Sequence, residues 1–347
     1  MKAAVIRQYG RITLEDAPRP ELKDGNVLIR VKYASICGSD QHIFRGEFHP
    51  RTTLPLIAGH EFAGIVEDTG KDVSGFTKGE KVTVDPIIWC GKCAACLAGH
   101  YPACISLKLV GIDLDGGFGE FVSVPASMVF KVPANIPDEH AALIEILSIG
   151  FHAITRARLN EYDDVLIMGC GKVGQSILQA AKTVTRGRIF IADILDKRLA
   201  MASSAYPDVH TINITATDPA ELIMSVTGGK GVDVAFEAVG HFKHVEGRLN
   251  PVRTCVKSIK GGGSVCVLGL GDEPAEVLMK ELIWKEGKII ASRVSHGEFA
   301  RAIDALAAGK LRPEKMITGI LDLSDAQKGF ELLESSPEEN LKILLRV

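Results

Sequence analysis

No run of Lys or Arg marks this chain of 347 residues, and no apolar run approaches the length of a membrane span. The missing basic run, with a net charge of −3, argues against a nucleic-acid or membrane surface and leaves a small molecule as the expected partner. The apolar part of Met1-Lys2-Ala3-Ala4-Val5-Ile6-Arg7 stops far short of a signal peptide, so a cytoplasmic protein is expected. Internal repeats, low-complexity tracts and linkers are missing too. A chain of this length without them is expected to form two closely docked domains.

What is there has the composition of a globular protein, 46% hydrophobic and 24% charged. In a reducing compartment its eight cysteines are expected as thiols, and clustered ones as metal ligands rather than disulfides. Up to about Gly150, alternating runs such as Val27 to Lys32, Glu80 to Val84 and Glu120 to Val124 are divided by turn residues. They predict a small, mostly antiparallel barrel or sandwich. From about Phe151 the rhythm becomes strand, helix, strand, with Val232 to Glu237 and Gly263 to Leu268 as buried parallel strands. Domains of 1–150 and 151–291 follow, and 292–347 is expected to rejoin the first through a helix from Phe299 to Gly309 and a strand from Leu341 to Leu345.

Within the second domain, Val165-Leu166-Ile167-Met168 leads into Gly169-Cys170-Gly171-Lys172-Val173-Gly174 and then into a helical pattern. That context is the one a dinucleotide fingerprint requires: Gly169 for the tight turn, Gly171 for approach to a pyrophosphate, Gly174 for close helix packing. The plainer alternative is a glycine turn of another α/β domain. A second strand ends in Asp193, about twenty residues on, where an acid suits a ribose 2′-hydroxyl and repels a 2′-phosphate, so NAD is expected over NADP. Lys172, Val173, Arg198, Leu268 and Gly269 complete the expected cofactor set; Lys197 and Arg198 could reach an adenosine phosphate but read rather as solvated helix charges, with Arg198 near the adenosine.

Cys90-x-x-Cys93-x-x-Cys96-x(7)-Cys104 lets one loop wrap a tetrahedral ion. An iron–sulfur cluster or unliganded thiols are the alternatives; a single compact lobe without redox-partner features favours a closed, structural zinc. A second set is dispersed: Cys37, His60 with Glu61, and Glu145. A thiolate, an imidazole and a carboxylate could hold a zinc with a place left for substrate. Taken singly, such a cysteine is more often a core residue and such a glutamate a solvated one.

Cys37-Gly38-Ser39-Asp40-x-His42, Gly59-His60-Glu61-x-x-Gly64, the four-cysteine lobe, Gly116-Gly117-Phe118-Gly119-Glu120-Phe121 and the Gly169 to Gly174 turn follow the order found in zinc-dependent medium-chain alcohol dehydrogenases. The chain resembles that family end to end. It looks most like the polyol branch, the sorbitol dehydrogenases and their sugar-alcohol and L-threonine dehydrogenase relatives, which typically carry Glu-Pro where this chain has Glu145-Ile146. The resemblance implies a GroES-like catalytic domain and a Rossmann domain, two zincs per chain, and NAD. It further implies that Cys37, His60 and Glu145 hold the catalytic zinc and that Glu61 ligates or orients it. Ser39 and His42 are implied as a proton relay, and Arg293 as a residue facing nicotinamide and substrate.

The implied reaction is oxidation of a secondary alcohol, with L-threonine or a diol as the nearest alternative substrate. A zinc-independent quinone or enone reductase would need none of Cys37, His60 and Glu145, and a non-enzymatic NAD(H)-binding protein would need no relay. Specificity is expected to rest on a few pocket positions such as Ile43, Phe48, His49, Ile112 and Arg293. The strand Lys288 to Ala291, short, apolar and last in its sheet, leads to the expectation of a homodimer or homotetramer. The remaining histidines, and Cys170, Cys255 and Cys266, are read as structural or surface groups.

Overall fold

A computed structural model describes residues 1–240, 245–271 and 274–347; His241 and His244 lie outside them. The chain divides into two compact units. One comprises Met1–Glu145, Phe299–Ala308 and Ile317–Val347, the other Ile146–Glu298 and Gly309–Met316. The first break thus falls at Glu145, earlier than 150, and the second at Glu298, later than 291. Gly309–Met316 returns to the second unit, an excursion without any marker in the sequence.

The first unit is built on a sheet whose strands run in the order Val129–Lys131, Lys81–Val84, Glu61–Thr69, Asn26–Ser35, Lys342–Arg346, Ile317–Asp322, with Phe121–Pro125 also paired to Asn26–Ser35. All pairs are antiparallel except the last two strands, Ile317–Asp322 and Lys342–Arg346. Asn26–Ser35 is the hub because it pairs with three others. Its register against Glu61–Thr69 shifts twice, between Leu28 and Ile29 and between Val31 and Tyr33, which bends the strand. Val27, Leu28 and Ile29 are accordingly all buried, where a flat two-sided strand would alternate.

In the second unit six strands are all parallel, in the order His210–Asn213, Ile189–Asp193, Val165–Met168, Val232–Glu237, Ile259–Val267, Lys288–Ala291. This is the doubly wound order, the third strand lying at one edge and the sixth at the other. Val165–Met168 and Ile189–Asp193 are buried along their whole length, as expected where helices cover both faces of a parallel sheet. Strand order reverses beside Val165–Met168, whose carboxyl end, where Gly169 begins, is the switch point at which doubly wound sheets take their ligands. Among the described residues no helix is long and apolar enough to cross a membrane.

Candidate functional site

Two adjacent strand ends of the first unit bring Cys37, His60 and Glu61 together. Asn26–Ser35 runs out into Cys37, Glu61–Thr69 begins directly after His60, and Lys342–Arg346 starts on the far side of the same hub strand. Gly59 takes φ +93°, and a Cβ on it would sit 2.5 Å from the Phe118 ring. The amides of Gly117 and Phe118 donate to the carbonyls of Gly59 and Ala58 at 2.7 and 2.9 Å. The glycine-rich Gly116 to Gly119 stretch is therefore the backbone support that fixes His60.

Cys37, His60 and Glu61 each offer a ligand atom, and the three lie within 4.8 Å of one another. Glu145, also buried, stands in the first turn of the helix Ile144–Ala157 and is not part of that trio. A proline after it would be equally tolerated in a first turn, so Ile146 does not displace the helix start. Its Oε2 is buried without a hydrogen-bond partner. Burial pushes its carboxyl up to about 8, opposed by His60 and Lys342 and reinforced by Glu61 and Asp85. Glu61 is placed differently: burial would raise its carboxyl, but Lys342, which bonds both its oxygens, and the charge of His60 outweigh burial and hold it below its usual range. A divalent ion would satisfy the orphaned Oε2 and offset the carboxylate excess, and a sulfur, nitrogen and oxygen donor set suits zinc.

Asp40 is the residue that sequence reading passed over. Fully buried, it accepts the Cys37 amide at 2.8 Å and the Gly59 amide at 3.3 Å, and its Oδ1 stands 3.5 Å from His60 Nδ1. It thus ties the Cys37 and His60 segments together and faces the imidazole, the place a carboxylate takes behind a metal-binding histidine. The available signal was its place three residues after Cys37 at the start of the helix Gly38–Arg45.

Ser39 sits on the same helix with Oγ 3.3 Å from His60 Nε2. Three residues on, His42 bonds the Glu47 carboxylate through Nδ1 and stacks on Phe48, ring centroids 5.7 Å apart. Arg45, and after it His42, hold the Glu47 carboxyl down to about 2. With 28% of its side chain exposed, His42 can exchange protons with water.

The four cysteines of the lobe place their sulfurs within 4.8 Å of one another. Cys90 to Cys96 spans 4.0 Å and Cys93 to Cys96 3.5 Å, bracketing the edge of about 3.8 Å of a tetrahedron with Zn–S bonds of about 2.3 Å. The amides of Cys96 and Ile105 draw the Cys93 thiol down to about 6. The set fits a closed four-thiolate ion.

In the second unit Gly169 has φ +97° and Gly171 caps the helix Lys172–Lys182, while a Cβ on Gly174 would meet the Gly169 carbonyl at 1.8 Å. Beside Gly171 the nearest atom to such a Cβ is Arg198 Nη1 at 3.7 Å, which leaves room for a phosphate against the backbone. Asp193 accepts the Cys170 amide at 2.7 Å and the Leu195 amide at 3.0 Å, and Arg198 Nη1 stands 4.0 Å from it. Glu237, unforeseen in the sequence, accepts from the Val239 and Gly269 amides at 2.8 and 3.2 Å and so shapes the Leu268-Gly269 turn. Arg293 is exposed, next to Val294 at φ +48°.

Residues 23–134 match the family described as alcohol dehydrogenase GroES-like domain, and residues 173–308 the family of zinc-binding dehydrogenases. An L-threonine 3-dehydrogenase of Bacillus velezensis is 33% identical over 96% of this chain and 95% of its own. The sorbitol dehydrogenase of Bacillus subtilis is 31% identical over 99% and 97%. The solved structure of the rspB alcohol dehydrogenase of Escherichia coli CFT073, complexed with NADH, superposes with a TM-score of 0.90 at 30% identity, covering 100% of this chain and 99% of that one.

The two donor sets differ in closure, and metal analysis should return two zincs per chain of unequal lability. Cys104→Ser should lower the content to about one, taken from the lobe, and mild chelation of the native protein should remove the other first. One zinc or none in freshly purified native protein would contradict the assignment.

Proposed function

We propose that this chain, which belongs to the zinc-containing medium-chain alcohol dehydrogenase family and is a zinc-type, NAD-dependent dehydrogenase acting on CH–OH, oxidises a polyol, a sugar alcohol or a related secondary alcohol. The observation that carries this reading is the buried, orphaned Glu145 oxygen, whose carboxyl feels the charge of His60. Cys37, His60 and Glu145 hold the catalytic zinc, and Cys90, Cys93, Cys96 and Cys104 the structural one. When bound, zinc supplies Lewis acidity toward a hydroxyl and NAD supplies the hydride acceptor.

The chain's own residues do the rest. Ser39, 3.3 Å from His60, is placed to take the hydroxyl proton. His42, braced by Glu47 and partly exposed, delivers a proton to solvent. Gly169, Gly171 and Gly174, with Lys172 and Val173 in the helix start between them, seat the pyrophosphate, while Leu268 and Gly269 border the dinucleotide. Asp193 accepts from the adenosine ribose and favours NAD over NADP, with Arg198 beside the adenosine. Arg293 faces nicotinamide and substrate. The sorbitol-dehydrogenase relative supports a polyol; the L-threonine 3-dehydrogenase relative supports the second reading, an amino-acid or diol hydroxyl. None of the eight cysteines is in a disulfide, which suits the reducing cytoplasm.

The strand Lys288–Ala291 is hydrogen-bonded on one side only among the described residues, and the short helix beside it in sequence carries Ile283 and Trp284 at 67% and 76% exposure. That apolar edge fits a second copy of the chain, giving a homodimer or a dimer of dimers. Light scattering should then report at least twice the chain mass, and a monomer at working concentration refutes the interface.

A panel of sugar alcohols, diols, simple secondary alcohols and L-threonine, each with NAD and with NADP, tests the activity by nicotinamide absorbance. Turnover of a polyol with NAD, stronger than with NADP and lost in Cys37→Ser, is the expected result. Protein loaded with both zincs that oxidises no alcohol on the panel would overturn the reading.

A further inference from the structure

Lys342 is a buried cation to which the proposed chemistry gives no task. It opens the strand Lys342–Arg346, its side chain is wholly inaccessible, and its Nζ bonds both oxygens of Glu61, Oε1 at 2.5 Å. Leu344 stands opposite Ser35, and Ser35 opposite Glu61. Lys342, two residues before Leu344, therefore shares the sheet face of Glu61, and the pair bridges the hub strand just before that strand delivers Cys37.

Two claims meet at Glu61. Its carboxylate lies within 4.8 Å of ligand atoms on Cys37 and His60, close enough to join an ion held there. Yet both oxygens are taken by an ammonium, while Oε2 of Glu145 has no hydrogen-bond partner. A second carboxylate, as fourth protein ligand on the ion, would close the place that substrate needs. We propose that Lys342 is a positioning residue that holds Glu61 in reserve, off the zinc, so that Lys342 and the ion compete for one carboxylate. This rests on the assignment of Cys37, His60 and Glu145 as the resting ligands.

A merely structural ion pair and a restraint on Glu61 predict opposite effects on metal retention. In Lys342→Met a structural role loosens the site and speeds zinc loss. The restraint predicts that the freed Glu61 joins the ion and slows its loss, by about tenfold on the scale of such outer-sphere effects. The experiment follows release of the labile zinc from the loaded protein to EDTA, after zinc per chain has been counted. Lys342→Met should release it about tenfold more slowly than native protein, and Lys342→Arg should restore the native rate. Lys342→Met/Glu61→Gln should release it at the rate of Glu61→Gln, because the effect passes through Glu61.

Release from Lys342→Met at the native rate or faster overturns the proposal. So does a double variant slower than Glu61→Gln, since loss of a positive charge would then suffice. Should Lys342→Met fail to fold, the double variant, which lacks both buried charges, decides alone: equality with Glu61→Gln supports the restraint, a several-fold difference overturns it. Native protein without EDTA-labile zinc would instead overturn the ligand assignment, so the two failures are distinct.

Discussion

Four buried carboxylates, those of Asp40, Glu61, Asp85 and Glu145, crowd the region of Cys37 and His60 with Lys342 as the one buried lysine among the described residues. Buried charge is tolerated when it is paired or neutralised, and removing one partner of a buried pair costs about 3–5 kcal/mol. Asp40 is met by two backbone amides, and Asp85 accepts the Ile87 amide at 3.2 Å. Glu61 is met by Lys342. Glu145 is left, and its raised titration records that debt. A dication bound there would remove it, and metal binding and local stability would then be one quantity.

The two units solve different problems with related means. In the first, antiparallel pairing gathers residues distant in the chain at the ends of three adjacent strands, and backbone amides from the Gly116 to Gly119 stretch fix the loop carrying His60. In the second, a parallel sheet places glycines at the reversal of strand order, where they open a helix whose N-terminus suits a phosphate.

What was legible in the sequence is what depends on neighbours along the chain. The lobe closes within fifteen residues, and Gly169, Gly171 and Gly174 declare their backbone requirements locally, so motif and fold could be read directly. Long strands with apolar runs were equally plain. The strand His210–Asn213 was not, because only Ile212 is buried in it, and Ile259–Val267 begins earlier than Gly263, where the sequence placed its start. Lys342 was invisible for another reason: within Leu341-Lys342-Ile343 it reads as the solvent side of an alternating strand, and only pairing across 281 residues reveals Glu61 as its partner. The same holds for Asp40, whose second amide comes from Gly59. Spacing suggested candidate ligands, but not which carboxylate is already occupied.

The central claim is that Glu145, and not the lysine-bound Glu61, completes the zinc site at rest. It is tested most directly by zinc content per chain in Glu145→Ala and Glu61→Ala, each purified alongside native protein and checked for an intact four-cysteine lobe. The account predicts that Glu145→Ala falls to about one zinc and loses turnover, whereas Glu61→Ala keeps close to two and turns over about ten- to a hundredfold more slowly. The reverse pattern, full zinc in Glu145→Ala and loss in Glu61→Ala, would contradict it.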